Sequence, residues 1–73
     1  MDYFNIYKDV WNFHKKYHNV QVTNEYWQAV ASESNSISKK YNDCQFVMNL
    51  LRAVLDELNR IYKEMKTDAD RIL

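Results

Sequence analysis

The sequence contains no glycine and no proline, although an average chain of 73 residues carries roughly nine of these residues. Hairpin turns rely on glycine for positive φ angles, and β-sheets rely on both residues to end their strands. Helices joined by short loops need neither, because asparagine also adopts the left-handed conformation that ends a helix. Asn19 and Asn42 stand where such helix ends are expected. These absences predict an all-α fold.

Cysteine is nearly absent as well. Cys44 is the one cysteine, so no disulfide within the chain is possible and a single domain covering residues 1–73 needs another source of stability. A chain without disulfides is typical of a reducing compartment, and we expect the protein to be cytoplasmic.

Net charge and long apolar runs are also lacking. Ten basic residues balance ten acidic ones, which argues against a nucleic acid or an acidic membrane attracted by bulk charge. The longest strongly apolar run, residues 44–51, is too short to span a bilayer. Asp2 and Asp9 lie where a signal peptide would need basic and then apolar residues. The sequence therefore predicts no association with membranes.

Apolar residues recur at spacings of three and four along most of the chain, which predicts helices at about 2–18, 24–41 and 44–66 or beyond. Short connectors between them favour an antiparallel, up-down-up three-helix bundle. At 1.5 Å per residue the first two helices are each roughly 25 Å long, and the third is over ~30 Å long. We therefore expect a long C-terminal helix whose end projects beyond its neighbours.

Capping residues and core residues follow from the same pattern. Thr23 or Asn24 is expected to cap the second helix, and Asn42 or Asp43 the third. The expected core residues are Ile6, Val10, Phe13, Trp27, Val30, Ile37, Val47, Leu51, Val54 and Leu58.

The third helix has more apolar surface than two partner helices cover. Some apolar residues near its start lie outside the main stripe, and others lie on its projecting end. We predict an interaction surface made of these residues: Phe46, Leu50, Tyr62, Met65, Ala69 and Ile72.

Aromatic residues are dense in the first helix, where six of the seventeen positions at 2–18 are Tyr, Phe or Trp. A three-helix core of this size cannot enclose that many rings, so some of them are expected to be exposed or shared with a partner. Tyr and Trp are also enriched among the residues that dominate binding energy. Self-association as a homodimer is the favoured interpretation; a lone monomer or an obligate partner of another kind are the alternatives.

Two features invite a chemical interpretation. His14 and His18 stand one helical turn apart, a spacing that can offer two imidazoles to a metal ion. Lysines lie between them and no acidic residue is near, so we interpret them as helix-end histidines and predict no metal site. Cys44, in the first turn of a helix, is in a position that can activate a thiol. Its inner heptad position and its neighbour Asp43 favour a buried structural cysteine instead.

Catalysis is not predicted. Asp56 and Glu57 lie on the outer side of an amphipathic helix, where carboxylates usually face solvent. A catalytic pair needs opposed carboxylates in a concave pocket, for which this chain has little room. We therefore expect neither enzymatic activity nor a cofactor.

A cluster of basic residues supports a second interpretation, a small nucleic-acid-binding regulator. If the first and third helices run parallel, one end of the bundle collects these residues: Lys15, Lys16, Arg60, Lys63 and Lys66. Glu64, Asp68 and Asp70 dilute their charge, so this reading is the alternative to a protein-binding one.

Three segments, "DVWNFHKKYH", "YWQAV" and "SKKY" before a capped apolar helix, give the chain a family likeness. It resembles small uncharacterised helical proteins carried by phage and mobile elements of Gram-positive bacteria. The resemblance spans most of the chain and implies a small regulator or inhibitor that acts by binding. It implies no particular activity. The sequence as a whole predicts a non-catalytic protein–protein interaction module.

Overall fold

The computed structural model describes the backbone of residues 1–72 and the side chains of residues 1–66. It contains three helices, α1 (Tyr3–Tyr17), α2 (Asn24–Lys40) and α3 (Gln45–Ile72), and the described backbone has no strand. The predicted all-α, three-helix fold is confirmed. The third helix continues past position 66, as its pattern allowed.

The first two helices begin with side-chain caps. The carboxylate of Asp2 accepts a hydrogen bond from the backbone N–H of Asn5, at 3.2 Å. Thr23 Oγ1 accepts one from the backbone N–H of Tyr26, also at 3.2 Å. Each cap satisfies an amide that has no partner inside its helix.

A tight turn joins α2 to α3 and contains two consecutive left-handed residues, Asn42 (φ 58°) and Asp43 (φ 54°). The backbone N–H of Asn42 donates to the Lys39 carbonyl at 3.0 Å, and that of Asp43 donates to the Ser38 carbonyl at 2.8 Å. These bonds satisfy the last carbonyls of α2, as in other helices with a left-handed C-terminal residue. The chain can therefore reverse here without glycine.

Two predictions about helix ends are wrong. Asn19 does not adopt positive φ, because the connector at 18–23 spreads the reversal over six residues. Neither Asn42 nor Asp43 caps α3, since Cys44 stands between them and the helix. The Asp43 carboxylate instead accepts a hydrogen bond from the Ser38 hydroxyl, at 2.7 Å, and so closes the end of α2.

Contacts between α1 and α2 fix their relative direction. Lys40 donates to the Asp9 carboxylate at 2.8 Å, and Lys16 donates to the Glu33 carboxylate at 3.3 Å. Moving forward along α1 thus means moving backward along α2, so the two helices are antiparallel.

Contacts between α1 and α3 show that these two helices run in the same direction. The ring of Tyr3 packs edge-on against that of Phe46, with centroids 5.1 Å apart. The Tyr7 ring meets the same Phe46 ring at 5.4 Å, so the start of α3 lies beside the first turns of α1. Because the chain reverses once between α1 and α2 and again between α2 and α3, α1 and α3 run parallel.

The start of α2 lies level with Tyr62 of α3, because the Trp27 and Tyr62 rings meet edge-on with centroids 5.5 Å apart. The arrangement is therefore up-down-up. Since α3 has 28 residues and α2 has 17, α3 is longer by roughly 16 Å. The molecule is a rod of 50 × 18 × 18 Å.

The core is a single cluster along the axis of the rod. Its buried apolar members are Ile6, Val10, Phe13, Val20, Val30, Val47, Leu51, Val54 and Leu58. Val20 was not among the expected core residues, because it lies in the connector rather than in a helical stripe. Trp27 and Ile37 were expected inside but are half-buried at the edge of the core.

Ser34 is the buried polar residue of α2 and is 7% exposed. Its hydroxyl donates to the Ala31 carbonyl at 3.0 Å, so its burial leaves no donor unsatisfied. A side chain this small on the inner face lets α2 lie close to its neighbours.

Candidate interaction surface

Four rings of α1 are more than half exposed: Tyr3 (54%), Phe4 (75%), Tyr7 (55%) and Trp11 (59%). Their spacings of one, three and four place them on one side of the helix. The other two aromatic residues of α1 point to the core side, where the Phe13 ring is buried. The aromatic residues of this helix therefore form two separate sets, one internal and one facing solvent.

The exposed rings continue onto α3. Phe46 is half-buried, and its ring lies edge-on to Tyr7 at 5.4 Å as well as to Tyr3. Half-buried Leu50 and exposed Ala53 follow it at helical spacing. We call this surface the aromatic face and define it by six residues, Phe4, Tyr7, Trp11, Phe46, Leu50 and Ala53.

The interaction surface predicted on α3 is divided by the structure. Phe46, Leu50 and Tyr62 pack partly against the core of their own chain, and Tyr62 is also covered by Trp27. Met65 is 40% exposed on the projecting part of α3. Ala69 and Ile72 lie outside the residues whose side chains are described.

The exposed rings of α1 were missing from the predicted site residues. The signal that could have found them is the density of aromatic residues in the first helix, which the sequence already displays. Spacing assigned Phe13 to the core, but it did not show how far the neighbouring rings of α1 would be covered.

A smaller apolar surface lies between α2 and α3. Met48 is 44% exposed there, beside a groove whose walls include Ser34, Ser38, Leu51 and Leu55. Small α2 residues keep this groove open, but fewer apolar atoms are exposed here than on the aromatic face.

The predicted basic end includes Lys16 and Arg60, which are bonded to acidic side chains. Lys16 bonds to Glu33 of α2. Arg60 Nε donates to Glu57 at 2.7 Å, and Arg60 also donates to Glu64 at 2.6 Å. Hydrogen bonding to Arg60 lowers the pKa of Glu57 below its usual range. Acidic side chains therefore compensate part of the positive charge at this end.

The remaining basic residues of this end are exposed. Lys66 Nζ lies over the Tyr62 ring, 5.7 Å from its centroid. Lys15 and Lys63 have exposed side chains on α1 and α3.

The two histidines of α1 differ in their surroundings. His18 Nδ1–H donates to the Lys15 carbonyl at 2.7 Å, which holds the ring against the end of its own helix. His14 is half-buried, and its ring lies edge-on to Trp11 at 6.5 Å. Within residues 1–66, no three His, Cys, Asp or Glu side chains are grouped as metal ligands.

Cys44 is a free, half-buried cysteine at the start of α3. Its backbone N–H donates to the Tyr41 carbonyl at 3.3 Å, and its own carbonyl accepts from the N–H of Met48. The residue links the α2–α3 turn to the first turn of α3.

No protein-family model, curated protein or solved structure matches the chain. Among the described residues, no helix has both the length and the apolar character needed to cross a membrane.

Proposed function

We propose that the chain is a non-catalytic protein–protein interaction module that self-associates as a homodimer through the aromatic face. The observation that carries this proposal is the exposure of Phe4, Tyr7 and Trp11 on one side of α1. Rings that a chain exposes next to each other offer apolar area and edge-to-face contacts to a partner at little cost in side-chain entropy. The lone cysteine fits a reducing compartment, and we place the protein in the cytoplasm.

The test is sedimentation equilibrium of the wild type and of a Trp11→Ala variant, from micromolar to millimolar concentration. We expect the wild type to dimerise and Trp11→Ala to weaken dimerisation about tenfold, because truncating a central Trp typically costs more than ~1 kcal/mol of binding. Trp11 is exposed, so the variant should keep the circular dichroism of the wild type.

Val22→Ala is the matched control, because Val22 is as exposed as Trp11 (62%) but lies in the connector, away from the face. It should dimerise like the wild type. A wild type that stays monomeric at millimolar concentration contradicts self-association.

Nucleic-acid binding at the basic end is the second candidate and has less support, because Lys16 and Arg60 already bond to carboxylates. Salt separates the two functions. Contacts to phosphates weaken steeply as salt rises, whereas apolar association does not. Retention of nucleic acid at low salt that disappears at high salt would favour the second candidate.

A further inference from the structure

The surface made by the aromatic face and its continuation along α1 and α3 is polarised along the rod. Its first half is the aromatic face, beside which exposed Lys8 lies one turn after Phe4, and its second half carries charges.

One turn after Trp11 comes Lys15 on α1, and one turn after Ala53 comes Glu57 on α3. Lys15 is exposed, and 44% of the Glu57 side chain is exposed, with Arg60 of the same helix donating to both of its carboxylate oxygens. The apolar stripe of α1 is therefore followed by a positive charge, and the apolar stripe of α3 by a negative charge.

The parallel direction of α1 and α3 places matching positions at the same level of the rod. Phe46 meets both Tyr3 and Tyr7, so it lies level with the turn between them, and the offsets of 43 and 39 residues give a register of about 41. Trp11 falls within one residue of the level of Ala53. By the same offset, Lys15 falls within one residue of the level of Glu57.

A two-fold axis parallel to the rod exploits this register. It lays α1 of one copy over α3 of the other without changing the level of any residue. Phe4 then meets Phe46, and the large indole of Trp11 meets the small side chain of Ala53. Lys15 lies beside Glu57 of the second copy. The two-fold axis repeats each of these contacts, so every one of them occurs twice.

A two-fold axis perpendicular to the rod matches the two copies less well. It lays α1 of one copy on α1 of the other in the opposite direction. The two apolar halves can then overlap only if the charged halves of both copies extend beyond the contact. The buried area is then smaller, and Lys15 meets no acidic residue of the other copy. Charge complementarity and shape therefore both favour the parallel arrangement.

The exposed rings supply about half of the area that one partner buries in a standard interface. At ~150–250 Å² per aromatic side chain, the exposed fractions of Phe4, Tyr7 and Trp11 amount to roughly 400 Å² on each copy. A standard interface buries ~800 Å² per partner. Phe46, Leu50 and the charged half of the face, along a rod 50 Å long, can supply the remainder.

We propose that a second copy of this chain docks on the aromatic face in parallel orientation, with each α1 packed over the other copy's α3 and Lys15 paired with Glu57. This arrangement rests on the self-association proposed above and adds its geometry. The pairing of Lys15 with Glu57 makes it testable by charge exchange.

The experiment uses Lys15→Glu and Glu57→Lys, measured alone and mixed by sedimentation at low salt. Each variant alone places like charges at both contacts, so its self-association should weaken about tenfold. An equimolar mixture restores both opposite-charge contacts and should recover wild-type affinity as a heterodimer. Circular dichroism confirms that each variant, including Glu57→Lys without its bond to Arg60, keeps its helices.

Lys39→Glu and Asp56→Lys are the charge-matched controls, because both residues are exposed and lie outside the face. They should associate like the wild type. Single variants that dimerise normally, or a mixture that fails to recover, would overturn the parallel arrangement while leaving self-association intact. A monomeric wild type would overturn both.

A distance measurement tests orientation independently. A spin label at Asn19→Cys, in a Cys44→Ser background, reports the position of the end of α1. In a parallel dimer the two labels lie at the same end and should be separated by no more than the width of the dimer. The reversed arrangement adds roughly 35 Å along the rod and would overturn the proposal.

Discussion

At the scale of single residues, Asp9 is the main polar link between α1 and the end of α2. Its Oδ2 accepts hydrogen bonds from Lys40 Nζ, at 2.8 Å, and from the Tyr41 hydroxyl. The hydrogen bond from Lys40, as the largest cause, and that from Tyr41, as the second, hold the pKa of the Asp9 carboxyl below its usual range. The Asp9 side chain is 25% exposed, so solvent screens this link only in part.

We expect Asp9→Asn to lower the free energy of unfolding by about 1 kcal/mol, because it weakens two charge-assisted hydrogen bonds. Urea unfolding at neutral pH measures the change. Asp56→Asn, on the exposed side of α3, is the control and should change stability by less than about 0.5 kcal/mol. Equal losses in the two variants would contradict the role given to Asp9.

The same link predicts a pH dependence. Asp9 has a lower pKa in the folded chain than its ordinary value of about 3.9, so the unfolded chain binds its proton more readily. Its contribution is complete above that value and is lost as the pH falls through the lower, folded value. Urea midpoints measured in acid should fall less for Asp9→Asn than for the wild type.

At the scale of elements, the two connections show what asparagine does in a chain without glycine. Asn42 is left-handed in the tight α2–α3 turn, whereas Asn19 is not left-handed in the longer connector. The left-handed region is costly for residues with a Cβ, and asparagine tolerates it better than most.

Asn42→Ala should therefore lower the free energy of unfolding by about 1 kcal/mol. Asn19→Ala, the same substitution at a residue with ordinary φ, should be close to neutral. Thermal unfolding of the two variants side by side decides the point, and a larger loss for Asn19→Ala would contradict it.

The sequence was sufficient to predict the helices, because three–four spacing is local and no breaker interrupts it. It was sufficient for most of the core for the same reason. It could not predict the burial of Val20, which depends on where the connector crosses the bundle. Nor could it predict that Trp27 lies at the edge of the core, where its ring packs edge-on against that of Tyr62.

At the scale of the whole molecule, the candidate site was also only partly predictable from the sequence. The excess of apolar and aromatic side chains was predictable from composition, and the spacing of the apolar residues indicated α3 as the helix that exposes it. In the structure Phe46 and Tyr62 find neighbours in their own chain, and the most exposed rings belong to α1. Which of several apolar stripes is covered depends on how the helices are rotated in the bundle, and spacing does not give that rotation.

If the aromatic face joins two copies, stability must depend on protein concentration. We expect the thermal midpoint of the wild type to rise as the protein is concentrated, because association stabilises the folded state by mass action. The midpoint of Trp11→Ala should change less over the same range. Scanning calorimetry at several concentrations measures both, and a wild-type midpoint independent of concentration would argue against a dimer.

The tight turn at Asn42 and Asp43 also has a kinetic consequence. The turn joins α2 to α3 across residues 41–44, whereas the connector from α1 to α2 spans residues 18–23. Shorter loops close at a lower entropic cost, so we expect the α2–α3 hairpin to form slightly ahead of the docking of α1. Until then, the inner side of α1 is exposed, and α1 can pack against the α2–α3 hairpin of a neighbouring molecule instead of the hairpin of its own chain. Refolding at high concentration will therefore favour exchange of α1 between molecules.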